Sequence, residues 1–346
     1  MPKTKNRAVM IWLFIFAFVV AFLVVFGGFV RLTRSGLSIV EWNPVNGIFP
    51  PIGEPAWQAE FSKYQLTPEF QKVNHSMTLE GYQRIFYIEW THRFIARLAG
   101  FFYLIPSFFF LYKKSIPRKE FGIYIVMGLL FVGQAFMGWF MVASGLVDRP
   151  AVSHIRLTLH LLLALTLFAL SLWVALGHRF GFSDQSIKAK WSPLSKLATI
   201  SIVILILQIS YGGFTAGLKA GHISNTWPLM FGQWVPAGLF SNASNLLQSP
   251  QTIVFTHRWA AFIALFFILL LIFSAYKRNY PKEIKNTLLI ILGLGCVQIT
   301  LGVLVVICNV QISLALFHQL TAVLLFGLSV FTIHRLRDLD RVKAKN

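Results

Sequence analysis

The chain has 346 residues, of which 56% are hydrophobic and only 12% are charged, and its mean hydropathy is +0.66. A water-soluble domain cannot bury that much apolar surface, so the composition excludes an ordinary soluble enzyme and indicates a protein that spans a lipid bilayer. The formal net charge of +19 raises the question of nucleic-acid binding, which the positions of the basic residues answer.

Hydrophobic runs long enough to cross a bilayer recur along the chain. A transmembrane helix needs about 20 apolar residues. Such runs occupy residues 8–30, 91–112, 121–143, 154–177, 195–218, 253–276, 284–307 and 311–333. The first run is too long for the core of a signal peptide and lacks a small-residue cleavage site, so we expect it to remain as a helix. The sequence therefore predicts an all-α integral membrane protein with eight transmembrane helices.

Basic residues cluster on one side of this eight-helix path. They precede the first run and follow the second, fourth, sixth and eighth runs, and include Lys114, Lys190 and Arg278. Positive charge favours the cytoplasmic side of a membrane, so we expect both termini in the cytoplasm. The net charge then reflects topology, and nucleic acid is not an expected partner.

The second half of the chain repeats the first. GGFVRLTRSGLS at 27–38 matches GGFTAGLKAGHIS at 212–224, and THRFIARLAGFF at 91–102 matches THRWAAFIALFF at 256–267. Four spans separate the copies, so both have the same orientation and are related by an axis along the membrane normal. We therefore predict two tandem, parallel-related four-helix bundles with external loops that cap them.

This repeat sets the predicted domain boundaries. The N-terminal half covers residues 1–177 and the C-terminal half covers 195–334. A cytoplasmic linker, 178–194, joins the halves, and a basic cytoplasmic tail, 335–346, follows the second half.

Four histidines occupy repeat-related positions near the external ends of the predicted helices. His92 corresponds to His257, and His160 corresponds to His318. Ionisable residues inside a membrane are costly and mark functional sites by default. Two facing histidines on separate helices suit a six-coordinate haem iron, whereas zinc or di-iron centres want more ligands. The alternative is that each histidine only makes interhelical hydrogen bonds.

Three ionisable residues of the first half have apolar counterparts in the second. They are Glu89 with Val254, Arg97 with Phe262 and Arg156 with Leu314. Glu89 precedes His92 by three positions, so both side chains project from one helix face. We interpret the first half as a reaction site and the second as a cofactor site. The alternative for Glu89 is a carboxylate favoured by a helix N-terminus.

Two arginines recur beside the histidines, Arg93 and Arg258. They either reach toward lipid head groups or pair with haem propionates as bidentate donors.

Several of these segments together resemble one known family. EWTHRFIARLAG, THRWAA, FHQLTA and the paired GGF segments, the second of which continues to NTWPLM, are similar to the heme A synthase family. The resemblance covers essentially the whole membrane portion. The long first external loop, with EWNPVNGIFPP and FSKYQLTPEFQ, is most similar to the proteobacterial and mitochondrial branch.

The resemblance implies a reaction and its site. The family oxidises the C8 methyl of heme O to a formyl group by two successive hydroxylations with water-derived oxygen, which makes heme A for terminal oxidases. A heme b cofactor would be ligated by His257 and His318, and heme O would bind between His92 and His160. Glu89 would be the catalytic residue. Candidate propionate or pocket contacts are Arg93, Arg97, Arg156 and Arg258.

The resemblance also implies where the protein works and with what. The expected location is the cell inner membrane, or the mitochondrial inner membrane in a eukaryote. Besides heme O and the lipid bilayer, candidate partners are heme O synthase, oxidase assembly factors and a second copy of the chain. The electron acceptor does not follow from these residues.

Two other classes of membrane haem protein would share the four histidines. One is a dihaem b-type cytochrome that passes electrons to or from quinone, and the other is a haem carrier or exporter. Glu89 in only one half favours the synthase, because a protein that only transfers electrons has no need of a general base.

Overall fold

The computed structural model describes residues 6–43, 46–147, 150–180 and 189–345. The α-helices of these residues are α1 Arg7–Leu32, α2 Glu54–Gln65, α3 Pro68–Lys72, α4 Leu79–Tyr112, α5 Phe121–Ala143, α6 His154–Phe180, α7 Pro193–Gly217, α8 Asn245–Gln248, α9 Pro250–Lys277, α10 Lys282–Ile307 and α11 Ile312–Lys345. Eight of them, all except α2, α3 and α8, are long and apolar enough to cross a membrane. The prediction of an all-α protein with eight spans is confirmed.

The eight long helices pack as two groups of four. In the first half α1 contacts α4 and α6, and α5 contacts the same two helices, so α4 and α6 lie at opposite corners. In the second half α7 and α10 each contact α9 and α11, which are likewise diagonal. The halves meet where α6 packs on α7 and α11, and where Gln319 on α11 donates to the carbonyl of Val24 on α1 (2.8 Å). The diagonal helices are those that carry the four histidines.

Two apolar cores lie among the helices. The first core includes Trp12 and Phe16 of α1 with Tyr103 of α4, and also Val323, Phe326 and Val330 of α11. The second includes Leu194 of α7 and Leu288 of α10. Inside a bilayer, close packing of such side chains rather than their removal from water holds neighbouring helices together.

Helix α4 begins at Leu79 rather than at residue 91. The hydroxyl of Thr78 caps its N-terminus by accepting from the amide of Gly81 (3.2 Å). Its first three turns pack against α2, where Tyr82 and Phe86 join Trp57 in an aromatic cluster. These turns lie before the apolar run, and tertiary packing rather than lipid holds them helical.

Helix α11 continues through Lys345 rather than ending near residue 333. Asp340 accepts hydrogen bonds from the hydroxyl of Ser195 (2.6 Å) and the amide of Ser192 (3.2 Å), and Arg337 donates to the carbonyl of Ala189 (3.2 Å). Residues 335–345 are thus a helical extension docked on the start of the second half. Part of the predicted linker, 181–188, lies outside the described residues.

Candidate functional site

The two histidines of the C-terminal half face each other directly. The ring centroids of His257 on α9 and His318 on α11 lie 6.3 Å apart, with their planes at 84°. Two imidazoles bound on opposite sides of one metal ion, each at about 2 Å, have centroids about 6 Å apart. The spacing of this pair therefore fits shared axial ligation of a haem iron.

Glutamines orient these two imidazoles. Nδ1 of His318 lies 3.1 Å from the backbone carbonyl of Gln298. A carbonyl only accepts, so Nδ1 carries the hydrogen and the lone pair is on Nε2, which lies 3.2 Å from the side-chain amide nitrogen of Gln298. The amide nitrogen of Gln208 donates to the carbonyl of His257 (2.8 Å) and lies 3.2 Å from its Nδ1. Such second contacts fix ring orientation at metal sites.

The histidines of the N-terminal half have different partners. Nε2 of His92 lies 3.2 Å from the backbone carbonyl of Leu23, the repeat counterpart of Gln208. By the same argument the hydrogen of His92 is on Nε2 and its lone pair on Nδ1. Nε2 of His160 lies 3.4 Å from the amide nitrogen of Gln134. The N-terminal half therefore lacks one of the side chains that hold the histidines of the C-terminal half.

A glycine on a neighbouring helix faces each of the four imidazoles. A Cβ atom built on the glycine would lie 3.3 Å from the ring of His92, 3.1 Å from His160, 3.0 Å from His257 and 3.1 Å from His318. These glycines, in the same order, are Gly27, Gly138, Gly212 and Gly302. Any larger residue would push the ring, so the repeat preserves space for all four imidazoles.

Glu89 is buried and accepts five hydrogen bonds. Its Oε2 accepts from the hydroxyl of Ser38 (2.7 Å), the amide of Ser38 (2.9 Å) and the amide of Ile39 (3.0 Å). Its Oε1 accepts from Nη2 (2.6 Å) and Nε (3.1 Å) of Arg93. Both oxygens act only as acceptors, which is the pattern of an ionised carboxylate. Since α4 begins ten residues earlier, the helix-terminus alternative for Glu89 is wrong.

The two repeat-related arginines hold the external segments. Arg93 donates to the carbonyl of Ile39 (3.4 Å), and Arg258 donates to the carbonyls of Ser224 (2.8 Å) and Thr226 (2.9 Å). Ile39 and Ser224 occupy equivalent positions in the GGF repeat. Each arginine therefore fastens the loop above its own half, a contact that neither of the two sequence-based readings included.

The remaining two candidate arginines lie on the first half. Arg97 donates to the carbonyl of Asn43 (3.4 Å) in the first external segment. Arg156 donates to the carbonyl of Phe140 (2.8 Å) and places its guanidinium 3.6 Å from the centre of that ring. A cavity of about 190 Å³ lies between the first external segment, α4 and the end of α5. Its lining includes Trp42, Arg93 and Trp139. Arg93 thus contacts Glu89 and also lines the cavity.

The first external segment contains a second buried carboxylate, which is influenced by basic residues of both halves. Glu69 of α3 is only 5% exposed. Burial raises the pKa of Glu69 to about 7; the charge of Glu89 adds to this rise, and Lys219 and Arg34 oppose it. Arg34 and Lys219 are repeat counterparts, both with positive φ (55° and 53°) just after α1 and α7.

Sequence reasoning missed the residues that support the histidines and Glu89. The recurring pairs Gln134 with Gly138 and Gln298 with Gly302 carried a signal, but helix packing alone explained them. Gln208 gave none, because its counterpart is Leu23. Ser38 is far from Glu89 in sequence, and only the folded loop brings them together.

Comparisons with known proteins show the family of the chain. The model of the COX15-CtaA family, described as cytochrome oxidase assembly protein, matches residues 10–330. A protein named heme A synthase from Flavobacterium psychrophilum is 41% identical over 96% of this chain and 98% of the relative. Proteins of the same name are 37% identical in the Wolbachia of Brugia malayi, over 94% of this chain and 96% of the relative, and in Parvibaculum lavamentivorans, over 96% and 95%.

The match spans nearly the whole chain and includes all eight membrane helices. The chain is therefore a multi-pass membrane protein that belongs to the COX15-CtaA family of cytochrome oxidase assembly proteins.

Proposed function

We propose that the protein is a heme A synthase, which oxidises the C8 methyl group of heme O to a formyl group. Each of two hydroxylations takes oxygen from water and releases two protons and two electrons to an external acceptor. The resulting gem-diol then loses water to give the formyl group. Similarity over nearly the full length to proteins named heme A synthase, at 41% and 37% identity, supports this function.

The observation that carries the proposal is the unequal pair of histidine sites. Both halves present two histidines on diagonal helices, but among the described residues only the N-terminal half has a buried carboxylate, Glu89, within one helical turn of one of these histidines. A protein that only transfers electrons has no need of a general base beside one histidine pair. We assign substrate binding to His92 and His160, and cofactor binding to His257 and His318.

The C-terminal half would hold heme b, which supplies one-electron transfer when it is bound. His257 and His318 would be its axial ligands, and Gln208 and Gln298 would keep their rings in place. Arg258 fastens the overlying loop to α9. This half would bind and orient the cofactor.

In the N-terminal half Glu89 is proposed to act on the methyl group. Its carboxylate is held at both oxygens and stays an acceptor, which suits stabilisation of positive charge that develops on the reacting carbon. Acceptance of a proton from water or the methyl group is the other role open to a carboxylate. Arg93 keeps the carboxylate oriented, and the overlying loop, which contacts Arg93 and Arg97, covers this end of the half.

The proposed location follows from the distribution of basic residues. Both termini would lie in the cytoplasm, and the histidine ends of the helices would face the outer side of an inner membrane. Heme O is the proposed substrate, and heme O synthase, oxidase assembly factors and a second copy of the chain are candidate partners.

Extraction of haems from membranes tests the proposed function. The chain would be expressed in cells that make heme O but no heme A, and the haems would be separated and identified by mass. A new formyl haem that depends on the chain supports a synthase. Retention of heme b with no change in heme O would instead indicate an electron-transfer cytochrome.

A further inference from the structure

The loop that covers the N-terminal half places one serine directly on the catalytic carboxylate. Ser38 is fully buried, and its hydroxyl has two possible acceptors on α4. The hydroxyl lies 2.7 Å from Oε2 of Glu89 and 3.3 Å from the carbonyl of Ile85. A hydroxyl has one hydrogen to donate, and the charged, closer acceptor takes it.

Resting on the proposed function of Glu89, we propose that Ser38 is a positioning residue that sets the orientation of the carboxylate for methyl oxidation. Arg93 holds only Oε1. Without the Ser38 hydroxyl, Oε2 would keep only the two loop amides, of Ser38 and Ile39, and would lose its shortest hydrogen bond. The hydroxyl and the two loop amides hold Oε2 and so fix the orientation of the carboxylate plane.

The second half supplies an internal control for this assignment. By the repeat, Ile223 stands where the first half has Ser38, and Val254 stands where it has Glu89. Val254 is 2% exposed and belongs to an apolar cluster against which Ile223 packs. The same loop-to-helix contact is therefore apolar where no reaction is proposed. In the second half an apolar pair, together with Arg258, holds the loop on the helix. The pair formed by Ser38 and Glu89 is therefore not needed for that attachment.

The arginines show the same difference. Nε of Arg93 donates to Glu89, whereas Nε of Arg258 is buried with no hydrogen-bond partner among the described residues. The loop carbonyls bind both arginines. Loss of the carboxylate in the second half thus leaves the arginine in place and removes only the pair formed by the serine and the glutamate.

A rigid support stands behind Ser38. The hydroxyl of Tyr82 donates to the carbonyl of Ser38 (3.3 Å). Tyr82 is fully buried, and its ring lies 5.0 Å from that of Tyr64 and 5.2 Å from that of Phe61. This aromatic cluster of the first external loop ties the position of Ser38 to α2 and α4.

The kinetic consequence should fall on turnover rather than on substrate binding. His92 and His160, not Ser38, are proposed to bind heme O. Misorientation of a group that acts only in the transition state lowers kcat and leaves KM nearly unchanged. The loss of one hydrogen bond to a charged group corresponds to about a 10- to 100-fold change.

A double-mutant cycle tests the proposal. Heme A formation would be measured for the wild type, Ser38→Ala, Glu89→Gln and the double variant, with retained haem as a second measurement. We expect Ser38→Ala to lower kcat by about 10- to 100-fold with KM and retained haem unchanged. In the Glu89→Gln background it should have no further effect, because Ser38 acts through Glu89.

Ser35→Ala is the matched control. Ser35 is also fully buried in this loop, but its hydroxyl contacts that of Thr33 (2.9 Å) and not the site. We expect wild-type kcat for this variant. Wild-type kcat for Ser38→Ala, or equal losses in both backgrounds, would overturn the positioning role. A wild-type rate for Glu89→Gln would refute the role of Glu89 itself.

Discussion

The two halves of this molecule are built from one repeated design and differ mainly in what lies beside the histidines. In the C-terminal half glutamines contact both imidazoles, and an apolar pair, Val254 with Ile223, joins the helix to the loop. In the N-terminal half a backbone carbonyl replaces one glutamine, and the pair becomes Glu89 with Ser38. The comparison teaches that two copies of one design can keep the same histidines and facing glycines while the contact between helix and loop is polar in one half and apolar in the other.

The largest expected effect comes from removing the histidines, and it is on the amount of haem that the purified protein retains. His257→Ala or His318→Ala should abolish most of the low-spin haem signal of the purified protein, since the cofactor loses an axial ligand. His92→Ala and His160→Ala should reduce that signal far less, because the substrate site must release its product. Absorption spectra of the four variants measure this. Equal losses in all of them would contradict the division into cofactor and substrate halves.

The glycines that face the histidines sharpen the comparison. Gly212→Ala and Gly302→Ala should weaken retention of haem by roughly 1–3 kcal/mol, because the new methyl group displaces an axial imidazole. Gly27→Ala and Gly138→Ala should instead slow heme A formation at nearly constant retained haem. Titration of haem against each variant measures the first effect and product analysis the second.

Gly293→Ala is the control for these variants. A Cβ at Gly293 on α10 would meet nothing within 4 Å, so haem binding should be unchanged. A loss as large as that of Gly212→Ala would show that the effect is on the helix and not on the histidine.

The mirror change in the second half should not create a second reaction site. Val254→Glu would give Nε of Arg258 an acceptor but would face Ile223 instead of a serine. We expect a loss of stability of about 1–3 kcal/mol, partly restored by adding Ile223→Ser. Thermal unfolding in detergent would measure both variants.

Heme A formation by the double variant provides the sharper outcome. In a Glu89→Gln background heme A formation should stay at the level of Glu89→Gln alone, because the counterparts of Arg97 and Arg156 are Phe262 and Leu314. Restored synthesis would show that the carboxylate alone distinguishes the halves.

The smallest effect concerns the buried carboxylate of the first external segment. The folded-state pKa of Glu69 is raised to about 7, so the folded protein holds this proton more tightly than the unfolded chain does. Stability should therefore fall as pH rises from the ordinary carboxyl range through about 7. Glu69→Gln should remove this dependence and raise the melting temperature at pH above about 7 relative to the wild type. An identical pH profile in the two proteins would contradict it.

Much of the fold could be predicted because hydrophobic length reports membrane spans directly. The errors lie where helices leave the lipid. Glu80, Arg84 and Glu89 make the first turns of α4 look like a loop, yet α2 packs on them. The basic residues after 334 look like a free tail, yet Arg337 and Asp340 dock them on the second half.

The four histidines and Glu89 were visible in sequence because the repeat aligns them. Their supports were not, since they depend on contacts between distant segments. Ser38 reaches Glu89 across a folded loop, and Gln208 reaches His257 from a neighbouring helix. The glycines were visible as a recurring pattern, but only helix packing shows that each one faces an imidazole.

Glu89→Gln tests the central claim most directly. The substitution keeps shape and hydrogen bonding and removes the negative charge, so α4 and its histidine should survive. Extracted haems from matched preparations should show heme b retained at the wild-type level while heme A formation falls by about 100-fold or more, the scale of a lost acid–base or charge-stabilising group. Heme A made at the wild-type rate would contradict the assignment of the N-terminal half as the reaction site.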